Sequence, residues 1–131
     1  MKHLPTLSLI AALASSLAAG VALAECAAPV NEVKMPNGAK ASKDEMLAAK
    51  RAITAYDAAV KAYAECLHTD QDAEVKAAET KAGGSDKLAE DARSRIAARY
   101  AEKQNQEVDK LQKLADRFNT ELRAYKAANP S

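Results

Sequence analysis

Bulky aromatic side chains are nearly missing from this chain: it has no tryptophan, one phenylalanine (Phe118) and four tyrosines in 131 residues. A thick globular core is therefore excluded, and the abundant alanine favours an elongated helical object with a thin apolar seam. Glycine and proline are scarce, four of each, so few turns are available. There is no excess of either charge. A leader of residues 1–24 would take one of the 19 basic residues and none of the 18 acidic ones, leaving a balanced mature chain. Electrostatic capture of nucleic acid or of an anionic membrane is not supported by such a balance. Histidine is down to His68 once the leader is set aside, and the two cysteines are too far apart for a zinc or haem motif. No glycine-rich phosphate loop is present. These gaps leave no cofactor or metal to expect, no catalytic residue to name, and a non-enzymatic protein as the reading.

What the chain does have begins with that leader. Lys2 and His3 precede an apolar run from Leu7 to Leu17, and Ala22, Leu23 and Ala24 form an Ala-x-Ala cleavage site before Glu25. Ser15, Ser16 and Gly20 interrupt the run, which falls short of the ~20 apolar residues of a membrane span. Glu25 before Cys26 disfavours lipid attachment. The expectation is a signal peptide over 1–24, cleavage, and a periplasmic protein with no integral membrane segment. In an oxidising compartment the two cysteines most simply close one disulfide, Cys26 to Cys66; free or intermolecularly bonded thiols are the alternative.

Residues 25–42 contain Pro29, Pro36 and Gly38 and read as an extended arm anchored by Val30, Val33 and Met35. A long helix over about 43–82 follows, with Ser42 and Glu45 spaced as a capping box. Met46, Ala49, Ile53, Tyr56, Val60, Tyr63 and Leu67 recur at alternating intervals of three and four, one seam on a helix that wants a partner. A second stripe of small residues, Ala48, Ala52, Ala55, Ala59 and Ala62, leads to Cys66 and predicts the seat of the arm; a close helix contact with a partner or a second copy is the rival use of the stripe. Beyond Leu67 the residues turn polar, and Thr69 with Asp72 could cap a new helix, so a kink near 68–72 is compatible with the pattern. Gly83 and Gly84 end this segment, and Ser85 or Asp86 opens a second helix over 86–128.

The second helix carries Val108, Leu111, Ala115, Phe118, Leu122 and Tyr125 as its seam. A tight turn between helices of near-equal length forces an antiparallel return, which sets Ile53 by Phe118, Tyr56 by Ala115, Val60 by Leu111 and Tyr63 by Val108. Leu67 then meets Gln104, a weak, polar middle. The fold class is all-α: a long antiparallel, coiled-coil-like hairpin with an extended N-terminal arm stapled by a disulfide.

Cys26, Pro29, Pro36, Asn37, Gly38, Glu45, Met46, Tyr63 and Cys66, in this order and spacing, resemble a family of small exported helical proteins of proteobacteria without an assigned function. The resemblance implies a Gram-negative periplasm and carries no active site. For function, the architecture points to a protein-binding hairpin, a scaffold or chaperone-like clamp for another envelope protein. A small-ligand carrier using the polar middle between Cys66 and Gln104 is the alternative.

Overall fold

The computed structural model describes residues 25–130, so the expected signal peptide lies outside the described residues. Two helices make up most of it: α1, Lys43–Ala82, and α2, Glu90–Ala128, joined through a short 3-10 turn at Ser85–Lys87. They pack against each other as an antiparallel hairpin. At about 1.5 Å per residue each helix is roughly 60 Å long.

The ends of α1 follow from local chemistry. Ser42 is extended, its hydroxyl accepts from the Glu45 backbone N–H, and the Glu45 carboxylate accepts from the Ser42 N–H at 2.7 Å. Gly83 adopts the left-handed conformation (φ 86°) that costs glycine least. Its N–H donates to the Thr80 carbonyl and that of Gly84 to the Glu79 carbonyl, so the last carbonyls of the helix are satisfied.

α1 is continuous through 68–72. Thr69 does not cap a new helix; its hydroxyl donates back to the Glu65 carbonyl at 3.2 Å. The seam also continues past Leu67 in polar form, through the half-buried Gln71, Glu74 and Ala78. Glu74 holds α2 by accepting from Tyr100 Oη at 3.0 Å and by pairing with Arg99.

The second helix starts at Glu90, four residues later than expected. After the two glycines the chain makes the 3-10 turn and two extended residues, Leu88 and Ala89, before the carbonyl of Ala89 accepts the first helical bonds. Arg93 fastens this corner, donating to Glu79 at 2.6 Å and to the Ser85 carbonyl. Glu90 and Asp91 place negative charge in the first turn of α2, where the helix dipole favours it.

All six buried residues of α1, Met46, Ala49, Tyr56, Val60, Tyr63 and Leu67, belong to the expected seam. Leu67, placed at the weak middle, is in fact only 2% exposed. In α2 the seam differs from expectation. Its buried residues are Ile96, Glu107 and Leu114, whereas Val108 is 45% exposed. Leu111, Ala115, Phe118, Leu122 and Tyr125 of the expected seam are half-buried, so only Val108 leaves it, and the fully buried positions beside them are 107 and 114. Tyr56 and Val60 therefore pack with Leu114, flanked by Ile53 and Leu111.

Candidate functional site

A pair of helices in contact leaves two grooves, one along each side of the seam. The arm fills the first. Cys26 is disulfide-bonded to Cys66 with their Cα atoms 5.8 Å apart. From there the arm runs back along the hairpin to a turn at Asn37, where the Lys40 N–H donates to the Asn37 carbonyl. Val33 and Met35, two residues apart and so on one side of an extended chain, pack on the Tyr56, Val60 and Leu114 cluster. Val30 is on the opposite parity. It is 77% exposed and is not an anchor.

The far end of the arm is held by α2. Gly38 is buried, its N–H donates to the Glu121 carboxylate at 2.7 Å, and a Cβ at this position would collide with the Glu121 backbone carbonyl. Here glycine is required by close approach and not by a left-handed turn.

Ala48, Ala55, Ala59 and Ala62 are exposed and Ala52 is half-buried. The arm runs along the inner border of these alanines, leaving two shallow hollows. One of about 420 Å³ lies between Met35, Pro36, Ala48 and Ala52, and one of about 400 Å³ between Val30, Val33, Ala55 and Ala59. Ala62 lines neither.

Near the staple, Asp70 Oδ2 lies 2.9 Å from Cys26 Sγ. A disulfide sulfur carries no proton, so this is a contact of a carboxylate oxygen against sulfur and not a hydrogen bond. The ligand atoms of Cys26, Cys66 and Asp70 fall within 4.8 Å of one another. A metal would require both sulfurs as thiolates, and the disulfide uses them. His68 is exposed, two residues from the half-buried Cys66 and turned away from it around the helix.

The polar side chains of the seam pair with each other. Tyr56 Oη donates to Glu107 Oε2 at 2.9 Å, and Lys110 Nζ donates to Glu107 Oε1 at 2.6 Å. Burial pushes the Glu107 carboxyl up, but the hydrogen bonds from Lys110 and Tyr56, with the Lys110 charge, outweigh it and hold the group below its usual range. Tyr56 is pushed up to about 12 by burial, by its hydrogen bond to Glu107 and by that negative charge. Toward the turn Glu74 is lowered, first by the Arg99 hydrogen bond against the opposing effect of burial. No buried side-chain nitrogen or oxygen among the described residues lacks a partner.

The second groove, opposite the arm, is open. Ile53, Thr54 and Asp57 of α1 and Val108, Leu111, Gln112 and Ala115 of α2 line a hollow of about 390 Å³ there. The seam expected for α2 from its apolar spacing, Val108 and Ala115, is the wall of this groove. Leu47, 38% exposed, lines a separate hollow with Lys50, Arg51 and Thr54 nearer the start of α1. Sequence reading missed Glu107, Glu121 and Leu114. The seven-residue interval of all three was the available signal.

No helix among the described residues is long and apolar enough to cross a membrane. Comparison with protein families, with curated proteins and with solved structures finds no match to this chain.

Proposed function

We propose that this protein is an exported, non-enzymatic binding protein of the periplasm, a stapled helical hairpin that engages another envelope protein as a scaffold or chaperone-like clamp. One observation carries the reading. The groove opposite the arm has an apolar floor of Ile53, Leu111 and Ala115 with Val108 45% exposed beside it, while the equivalent groove on the other side is occupied by the chain's own arm. Apolar surface left open along a long helical pair is a surface suited to another chain. Export is supported by the leader pattern of residues 1–24 and by the cysteine pair, since disulfides persist in oxidising compartments.

The test is purification of the tagged protein from periplasm beside its Val108→Glu variant. The expected result is a co-purifying envelope protein at a defined ratio with the wild type and its loss with the variant. No protein with either, together with saturable uptake of a small molecule by the purified chain, would overturn this reading and make the protein a carrier.

A further inference from the structure

We infer that the outer stripe of α2 is a surface on which two copies of this chain pair side by side, in parallel, about a two-fold axis along the helices. The inference rests on the protein-binding reading and names the first partner. Of the 39 residues of α2, 16 are charged. Yet the row Asn105, Val108, Gln112, Ala115, Asn119 and Leu122, at intervals of three and four, contains no charge; Ala115 and Leu122 are half-buried at its inner border and the other four are exposed. It borders the open groove through Val108, Gln112 and Ala115. Depletion of charge along one face of an otherwise charged helix is the composition of an interface centre, not of a solvated face.

The row has a finer pattern. Asn105, Gln112 and Asn119 repeat every seven residues, and so do Val108, Ala115 and Leu122. In a parallel two-fold pair each residue meets its own copy. A carboxylate or an ammonium group repels its copy, but a carboxamide has both donor and acceptor and hydrogen-bonds to it. Val108, Ala115 and Leu122 would meet apolar copies of themselves. In an antiparallel pair the carboxamides would instead fall opposite the apolar positions.

The borders of the stripe agree. On the side of α2 away from its own α1 stand Glu102, Asp109 and Asp116, all exposed. A second copy places this acidic row against the outer side of the first copy's α1, where Thr54, Lys61 and His68 are exposed, again at seven-residue intervals. Counting outward from Val60 beside Leu111, Lys61 comes within one residue of the level of Asp109, Thr54 of Asp116 and His68 of Glu102. Each acid thus faces a donor. Asp57, the acidic group nearest to that row, is already paired with Lys61 at 2.7 Å. Electrostatic matching of this kind fixes partner and register.

The test is sedimentation of the processed, disulfide-bonded protein over a concentration series, with Val108→Glu and Ala55→Glu as variants. The expected result is a dimer that Val108→Glu converts to monomer with helicity unchanged, while Ala55→Glu, on the arm side, stays dimeric. Asp109→Lys should also weaken the dimer, and Lys61→Glu in the same chain should restore it. A wild type that is monomeric up to its solubility limit, or a dimer that Val108→Glu leaves intact, overturns the inference. If that monomeric wild type still co-purifies with an envelope protein lost on Val108→Glu, only the self-pairing fails and the binding function stands.

Discussion

Tyr56 on α1 and Glu107 on α2 are 4% and 3% exposed, and the phenol donates to the carboxylate at 2.9 Å. A charged group at a seam position is costly to bury and is retained where its partners are fixed. Sliding α2 by one heptad would set Leu114 or Tyr100 against the phenol and leave Glu107 buried without it. The pair therefore specifies the register of a hairpin whose apolar seam is too thin to do so alone.

Tyr56→Phe should lower stability by about 1–2 kcal/mol, because it removes one of the two donors of a buried carboxylate. Tyr56→Phe with Glu107→Leu should recover most of that loss, since it removes the buried charge as well. Urea denaturation of the two variants beside the wild type checks this. Equal destabilisation in single and double variants would mean that the buried carboxylate left without its donor is not the source of the loss.

The pH dependence has a definite sign. Glu107 and Glu74 are lowered in the folded chain from an ordinary value of 4.5. Their contribution is present above that value and is lost as pH falls through the lowered ones. Tyr56, raised from 10.0 to about 12, contributes below 10 and loses its share as pH rises toward 12. Thermal melts should show a plateau between these limits. Glu107→Leu should flatten part of the acid limb.

Leu114→Ala should cost about 2–4 kcal/mol, as expected for a buried leucine, and Val108→Ala under about 1 kcal/mol in the isolated chain. This pair of variants separates the observed seam from the one that apolar spacing alone suggests. The reverse order of effects would place Val108, not Leu114, in the seam.

The arm can be tested from both ends. Replacing Cys26 and Cys66 by alanine opens a loop of sequence separation 40, worth about 4 kcal/mol on the chain-entropy model. Gly38→Ala drives a methyl group into the Glu121 carbonyl and should cost about 1–3 kcal/mol. With the disulfide intact, proteolysis of Gly38→Ala should cut the arm near its turn before the helices. Resistance equal to the wild type would mean that the arm does not depend on this contact.

The parts of the fold legible in the sequence are those where one residue type has one role. The α1 seam was readable because Met46, Tyr56, Val60, Tyr63 and Leu67 are apolar and regularly spaced, and both ends of α1 carry their caps openly. The α2 seam was obscured by Glu107 and Glu121. A glutamate reads as solvated until its partners are known, and those partners, Tyr56 and the Gly38 N–H, are distant in sequence. Val108, Ala115 and Leu122 made a competing apolar row beside it. The polar stretch at 68–72 left a kink open, because the cross-helix partners that continue the seam beyond it, Arg99 and Tyr100 on Glu74, are invisible to local pattern. Of the three expected anchors of the arm, Val33 and Met35 pack and Val30 does not, because apolarity alone does not tell which parity of an extended chain faces the helices. The open groove was hidden because its wall was counted as core.

We propose above that the hairpin acts by binding protein chains. A photo-crosslinking residue at position 108, at position 30 on the exposed part of the arm, and at Thr80 near the turn as a control tests it in the intact cell envelope. The predicted result is a discrete adduct from 108, with a second copy or another envelope protein, and none from Thr80. Position 30 adds a readout of the arm side. No adduct from 108, or the same diffuse products as from Thr80, would contradict that proposal.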